Sequence, residues 1–296
     1  MTSLITPAPA GSQLLLRRFG DAGTPVLLLH GLGQTAQVFN PTPDTGLAPW
    51  LAAAGYSVHV ADLPMAVEDV SQHRLITEDL PALFDQLTRA HPGERFFIIS
   101  QGWGGVLAAS ALLRAPVWLD KVAGLVQIGV RRVCSQRSWR RRILLDLMWG
   151  RIAPWLGRRH GSLALRTLGL GQVDISRQLH EEVRIWQNGG KWRDPQDCFD
   201  YAAAVTDLNW PGSLYIAGRD DHCLGHPADI RQFARELGVH DAQLVVLQKG
   251  TGSSRSYGHL DLLTHPQAAV DHYPVILSWM ARHAARNTEQ NGYEEA

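Results

Sequence analysis

The stretch Phe96-Phe97-Ile98-Ile99-Ser100-Gln101-Gly102-Trp103-Gly104-Gly105, continued by the apolar run 106–113, constrains this chain more than any other. Residues 96–99 are aromatic or β-branched, which predicts a buried strand. Residues 106–113 suit a helix packed on a sheet. Small residues at 100, 102, 104 and 105 between them allow a sharp strand-to-helix turn, the pattern small-x-nucleophile-x-small that lifts a reactive side chain to its apex. The start of the helix supplies backbone N–H groups for a developing oxyanion. Position 102, however, is glycine. Glycine accepts a strained, positive-φ apex without penalty and brings no reacting atom. Ser100 carries a hydroxyl, but its register leaves it in the strand, pointing into the sheet instead of crowning the turn. The plain alternative is an ordinary glycine-rich βα turn.

The 296 residues suffice for one large α/β domain or one domain with an insertion. Lys and Arg number 28 against 28 Asp and Glu, so overall charge does not point to nucleic acid. Cys134, Cys198 and Cys223 are scattered and form no CxxC pair, which fits a reducing compartment and argues against a zinc site. The first ten residues lack a charged segment followed by a long apolar run, so no signal peptide is expected. No stretch approaches 18 uninterrupted apolar residues, so no transmembrane helix is expected either. Cytoplasmic residence is the resulting expectation.

In chain order, a Pro/Ala leader precedes a strand over 12–19, and Val26 to Leu29 forms a buried strand ending in His30-Gly31-Leu32-Gly33. A His-Gly pair after a central strand builds the other half of an oxyanion hole, with the Leu32 N–H as donor. A helix over Trp50 to Ala54 and a strand up to Asp62 follow. Thr77 is read as the N-cap of a helix running to about Ala90, with acids in its first turn and Pro81 near its start. Val122 to Ile128 is the next strand. Composition then shifts. Residues 131–166 carry ten arginines, one acid (Asp146) and Trp139, Trp149 and Trp155, and regular alternation resumes near 206. This reads as a helical cap over 131–206 inserted into a core formed by 1–130 and 207–296. The cap's basic, Trp-bearing face suits an anionic lipid surface, its apolar side suits an acyl pocket, and the bland alternative is a solvated face. Its aromatics match no RNA-binding module, so nucleic acid is not an expected partner.

After the cap, Ser213 to Ala217 forms a strand that leads to Gly218-Arg219-Asp220-Asp221-His222. Pro227 opens a helix, Gln243 to Leu247 is the last strand, and a polar loop reaches Tyr257-Gly258-His259-Leu260-Asp261 before a closing helix over about 266–285. Strands alternating with helices imply a mainly parallel sheet with helices on both faces, whose active groups gather at the carboxyl ends of strands. His30, Gly102, Asp221 and His259 all fall at such ends or just after them. Either Asp220 or Asp221 supplies an acid that orients a histidine, and Asp221 is preferred. His259 sits in a Gly-His loop between the last strand and the last helix. His222 adjoins the acid too closely to be oriented by it. Asp261 either fixes the histidine loop or is an exposed acid.

On these residues the chain resembles the α/β-hydrolase superfamily over 14–285, and within it the acid (gastric/lysosomal-type) lipases and their bacterial relatives. The resemblance is carried by Leu29-His30-Gly31-Leu32, by 47–58, by Asp79-Leu80-Pro81-Ala82 and by His259-Leu260-Asp261. It implies hydrolysis of carboxylic esters with long acyl chains, without metal or organic cofactor. The site it implies has Asp221 and His259 with Gly102 at the nucleophile position, oxyanion donors at Leu32 and Trp103, and substrate contacts from His30, Gly31 and Gln101. The cap matches poorly. Where those lipases carry Gly-His-Ser-x-Gly, this chain has Ser100-Gln101-Gly102-Trp103-Gly104. In having glycine at the elbow it is similar to the N-myc downstream-regulated family. Three functions follow as expectations: an esterase or lipase-like enzyme in which His259 activates water, a non-catalytic binder of an acyl ligand or a partner, and base-assisted proton abstraction on the same scaffold.

Overall fold

The computed structural model describes residues 2–7, 13–136, 139, 142–157, 162–206 and 208–294. Its strands are β1 (Thr2–Pro7), β2 (Gln13–Phe19), β3 (Pro25–Leu29), β4 (Ser57–Asp62), β5 (Phe96–Gln101), β6 (Val122–Ile128), β7 (Ser162–Leu163), β8 (Ile175–Ser176), β9 (Ser213–Gly218) and β10 (Ala242–Leu247). Eight of them form one sheet in the order β1-β2-β4-β3-β5-β6-β9-β10. From β4 to β10 neighbours run parallel, and β1 and β2 add an antiparallel edge. The leader expected before residue 12 therefore contains a strand: Thr2–Pro7 pairs with β2 along its whole length, and its proline falls at the end of an edge strand, where no ladder N–H is needed.

Strand side chains alternate between two apolar layers. On one side Leu27 and Leu29 of β3 join Phe96 and Ile98 of β5, and on the other Val26 and Leu28 join Phe97 and Ile99. Both faces are covered, which is why these strands read as continuous apolar runs. Helices α1 (Leu47–Ala53), α2 (Leu80–Ala90), α3 (Trp103–Arg114), α4 (Arg177–Gln187), α5 (Pro227–Glu236) and α6 (Tyr273–Glu294) complete the layers. The buried residues of α1 and α6 fill one face, and those of α2, α3 and α5 the other. Every residue of α3 from Trp103 to Leu113 is buried, so this helix needs no polar face.

Two boundaries differ from expectation. The chain turns helical at Gln72, before Thr77, because Ser71 Oγ accepts the Arg74 N–H at 3.0 Å and caps the start. Thr77 lies inside the following wide turn and donates to His73 O at 2.8 Å. The closing helix is split into Asp261–Thr264, Ala268–Asp271 and α6, with Pro266 between the first two and buried His272 donating its Nε2–H to Leu262 O across the break.

Between β6 and β9 the chain leaves the sheet. A π-helical segment (Arg142–Ile152), a short helix (Ala153–Gly157), the β7–β8 pair and α4 lie there. This region shares the apolar layer of α3: Leu179, Val183, Trp186, Trp192 and Tyr201 are buried against it, with Trp186 6.3 Å from Trp103 and 5.4 Å from Tyr201 between ring centroids. Among the described residues no helix is long and apolar enough to cross a membrane.

Candidate active site

The turn from β5 into α3 puts Gly102 at φ 52° and ψ −127°, a left-handed conformation that glycine adopts at no steric cost. Its N–H donates to Ile128 O at 2.9 Å, tying the apex to the end of β6. A Cβ built on Gly102 would lie 3.2 Å from His259 Nε2, so the apex faces the imidazole. Ser100, one turn of the pleat earlier, pairs with Leu29 and Gln127 inside the sheet and is fully buried. Its hydroxyl does not reach the cavity.

His259 follows the polar loop after β10, and its Nδ1 lies 2.6 Å from Asp221 Oδ2. Asp221, three residues past the end of β9, is buried, and its Oδ1 accepts the Leu224 N–H at 2.8 Å and the Cys223 N–H at 3.4 Å. Burial pushes the Asp221 pKa upward. The His259 ring and its hydrogen bond, the Gly225 N–H and the nearby charge of Arg131 outweigh that and hold the carboxyl below its ordinary range. An ionised Asp221 fixes the proton on Nδ1 and leaves Nε2 as the ring's acceptor. Asp220 and His222 are exposed and take no part. Asp261 opens the short helix Asp261–Thr264 and braces the histidine loop, its Oδ2 accepting from Gly258 N and Arg255 Nη2, both at 3.4 Å. Gly129 (φ 63°) is the clearance that admits the ring, since a Cβ there would sit 2.8 Å from His259 Cε1.

Gln101 does more than line the site. Its side-chain nitrogen lies 2.8 Å from His259 Nε2, and its Oε1 accepts the Gly31 N–H at 2.9 Å. The amide therefore donates to the histidine and accepts from the loop after β3, bridging the two. Gly31 is small by necessity here: a Cβ on it would meet Gln101 Oε1 at 2.5 Å. His30, expected to touch substrate, is instead fully buried and turned away from the cavity. Its Nδ1–H donates to Gly31 O and its Nε2 accepts the Leu63 N–H, both at 2.9 Å. It joins the loops after β3 and β4, because the first residue beyond a central strand still sits within the packed layers.

Leu32, Gly102, Trp103 and His259 line one cavity of about 270 Å³, walled on its apolar side by Leu144, Leu145, Trp149, Leu170 and Leu224. Trp103 contributes its position at the start of α3, where N–H groups lack intrahelical partners. Its indole N–H is anchored on Gln72 Oε1 at 2.8 Å. Sequence reasoning missed Gly129, which carried no motif, and Arg131, which was counted with the cap's basic run yet also lines this cavity. Among the described residues one group has the spacing of metal ligands: the ligating atoms of His73, Asp194 and Asp197 lie within 4.8 Å of one another. Arg114 pairs with both carboxylates and Tyr201 donates to Asp194, so these acids tie the segment after α4 to α3.

A family model described as alpha/beta hydrolase fold matches residues 24–251. No protein of curated function matches the chain in sequence. Among solved structures, a monoacylglycerol lipase from Paleococcus ferrophilus is similar at 19% identity and TM-score 0.59, covering 92% of this chain and 100% of that one. A thermophilic esterase from Thermogutta terrifontis is similar at 16% identity and TM-score 0.58, covering 96% and 99%. A thioesterase domain from the curacin biosynthetic pathway is similar at 18% identity and TM-score 0.53, covering 94% and 99%. With the family model spanning most of the sheet, the elbow turn and Asp221, the chain belongs to the α/β-hydrolase fold family.

Proposed function

We propose that this protein hydrolyses small carboxylic esters with water, not a serine, as the attacking group. The single observation that carries this reading is the 3.2 Å between His259 Nε2 and the Cβ position of Gly102. A water held over Gly102 lies within reach of a histidine whose partner acid is ionised and buried. His259 Nε2 takes the proton from water as its oxygen attacks the ester carbon, and Asp221 stabilises the resulting imidazolium. The Leu32 and Trp103 N–H groups hold the tetrahedral oxyanion, and the imidazolium then returns its proton to the leaving alkoxide. A cavity of about 270 Å³ lies just below the usual range for drug-sized ligands, which favours a short substrate over a long acyl chain. The largely exposed Trp139, Ile143, Leu147 and Trp155 of the basic cap support lipid-surface contact as an accompanying feature.

A second reading is that the site binds an acyl ligand without turnover. It is favoured by Gln101, whose amide already occupies the Nε2 lone pair that a base needs. Hydrolysis of a p-nitrophenyl ester separates the two. On the first reading wild type turns over slowly, His259→Ala abolishes turnover, and Gly102→Ser raises it by at least about 100-fold, since triad serines account for several orders of magnitude. Absence of any gain in Gly102→Ser sinks the hydrolase reading. Wild-type activity equal to that of His259→Ala gives the binding reading.

A further inference from the structure

Arg131 and Arg132 are neighbours in sequence, both are buried, and only one is satisfied. Arg132 pairs with Glu236 through Nε and Nη2 at 2.7 and 3.1 Å and gives Nη1 to Gly190 O at 2.8 Å. Arg131 is 3% exposed and lines the same cavity as His259 and Gly102, yet its Nε and Nη1 meet no acceptor among the described residues. Asp221 balances the charge through space but spends its oxygens on His259, Leu224 and Cys223. A guanidinium removed from water with unpaired N–H groups is costly, and folding alone gives no return for it. Nε and Nη1 have almost no accessible surface, so a ligand meets this charge only where Arg131 lines the cavity, and an anion placed there offsets part of the cost of burying it.

We propose that the compound bound beside His259 carries a carboxylate, held by Arg131, on a short aliphatic chain. The substrate would then be a half-ester or a comparably small ester bearing a free acid. This rests on the reading that the His259–Gly102 cavity is the substrate site. The planar guanidinium matches a carboxylate in shape and charge, and the leucine-rich wall accepts the chain. A carboxylate is favoured over a phosphate ester because Asp221 already supplies one negative charge beside Arg131. Each added negative charge meets repulsion from Asp221, and a phosphate dianion brings two where a carboxylate brings one.

The test is calorimetric binding of hexanoate, hexanamide and hexyl phosphate to the full-length protein, wild type and variant. Wild type is expected to bind hexanoate about ten- to a hundredfold more tightly than hexanamide, the range of a hydrogen bond to a charged group. Arg131→Met is expected to erase that preference, with hexanoate losing far more affinity than hexanamide, and Arg131→Lys to keep part of it. Equal affinities in wild type, no hexanoate binding, or a preference that survives in Arg131→Met overturns the proposal. Tighter binding of hexyl phosphate than of hexanoate overturns the carboxylate assignment. Should Arg131→Met fail to fold, the wild-type comparison and Arg131→Lys still decide. None of the probes has a bond to hydrolyse, so failure of the hydrolase reading in the ester assay leaves this result standing, and the reverse.

Discussion

The two sides of the cavity are built to different standards. On the acid–histidine side, Asp221 uses both oxygens, His259 uses both nitrogens, and Gly129 clears the space for the ring. On the elbow side, the backbone takes the strained turn of a residue that presents something, and Gly102 presents nothing. The histidine is therefore positioned by its own loop, by Asp221 and by Gln101, without help from a hydroxyl at the apex. On the proposed reading, the base is placed by side chains while the attacking group is left to water.

Altering the better-built side should have the largest effect. In the Gly102→Ser background, Asp221→Asn is expected to lower ester turnover about 10,000-fold, because an amide favours the wrong imidazole tautomer. A loss below tenfold would mean that His259 does not depend on Asp221, and the contrast between the two sides would fall. The next test concerns the support behind the histidine loop. Burial pushes His272 down to about 4, and its Nε2–H holds Leu262 O. Its folded pKa lies below its unfolded one, so the unfolded chain binds the extra proton, and stability falls as pH drops from about 6.5 to about 4. His272→Gln should remove one proton's share of that slope, up to about 3 kcal/mol over the interval. His59, pushed to about 3, and His180, to about 4, keep their own shares, while Asp79, raised to about 6, acts in the opposite direction. Chemical denaturation at several pH values measures this. An unchanged slope would show that the proton is taken up elsewhere. The smallest effect is expected at Gln101. Gln101→Ala frees Nε2 and should raise wild-type turnover two- to tenfold, the worth of one neutral hydrogen bond. A decrease would make the amide a support for the base instead of its competitor.

Much of this was legible because it is local. Alternating strand and helix signals fixed seven of the eight sheet strands to within a few residues, and the positions after strand ends marked Gly102, Asp221 and His259. What stayed hidden depends on contacts distant in sequence. Gln101 reaches His259 across 158 positions, and no periodicity encodes that bond. His30 sits in a motif that suggests contact with substrate, yet its ring is taken by the Leu63 N–H just past β4. Arg131 looked like the first member of a basic run, and only the fold reveals that it closes the cavity while Arg132 finds Glu236. β1 was missed because its pairing with β2 outweighs the weak strand signal of a short, proline-flanked segment.

The aromatic layer shared by the cap and α3 limits how anything gets in. Trp186, Trp192 and Tyr201 are at most 3% exposed. Rings of this kind bury roughly 150–250 Å² each, so swinging the roof away as a unit would wet them at a cost on the order of 10 kcal/mol. That rivals the entire margin by which a domain stays folded, about 5–15 kcal/mol. The segment 142–157, which brings Leu144, Leu145 and Trp149 to the cavity and leaves Ile143, Leu147 and Trp155 exposed, shifts at far lower cost.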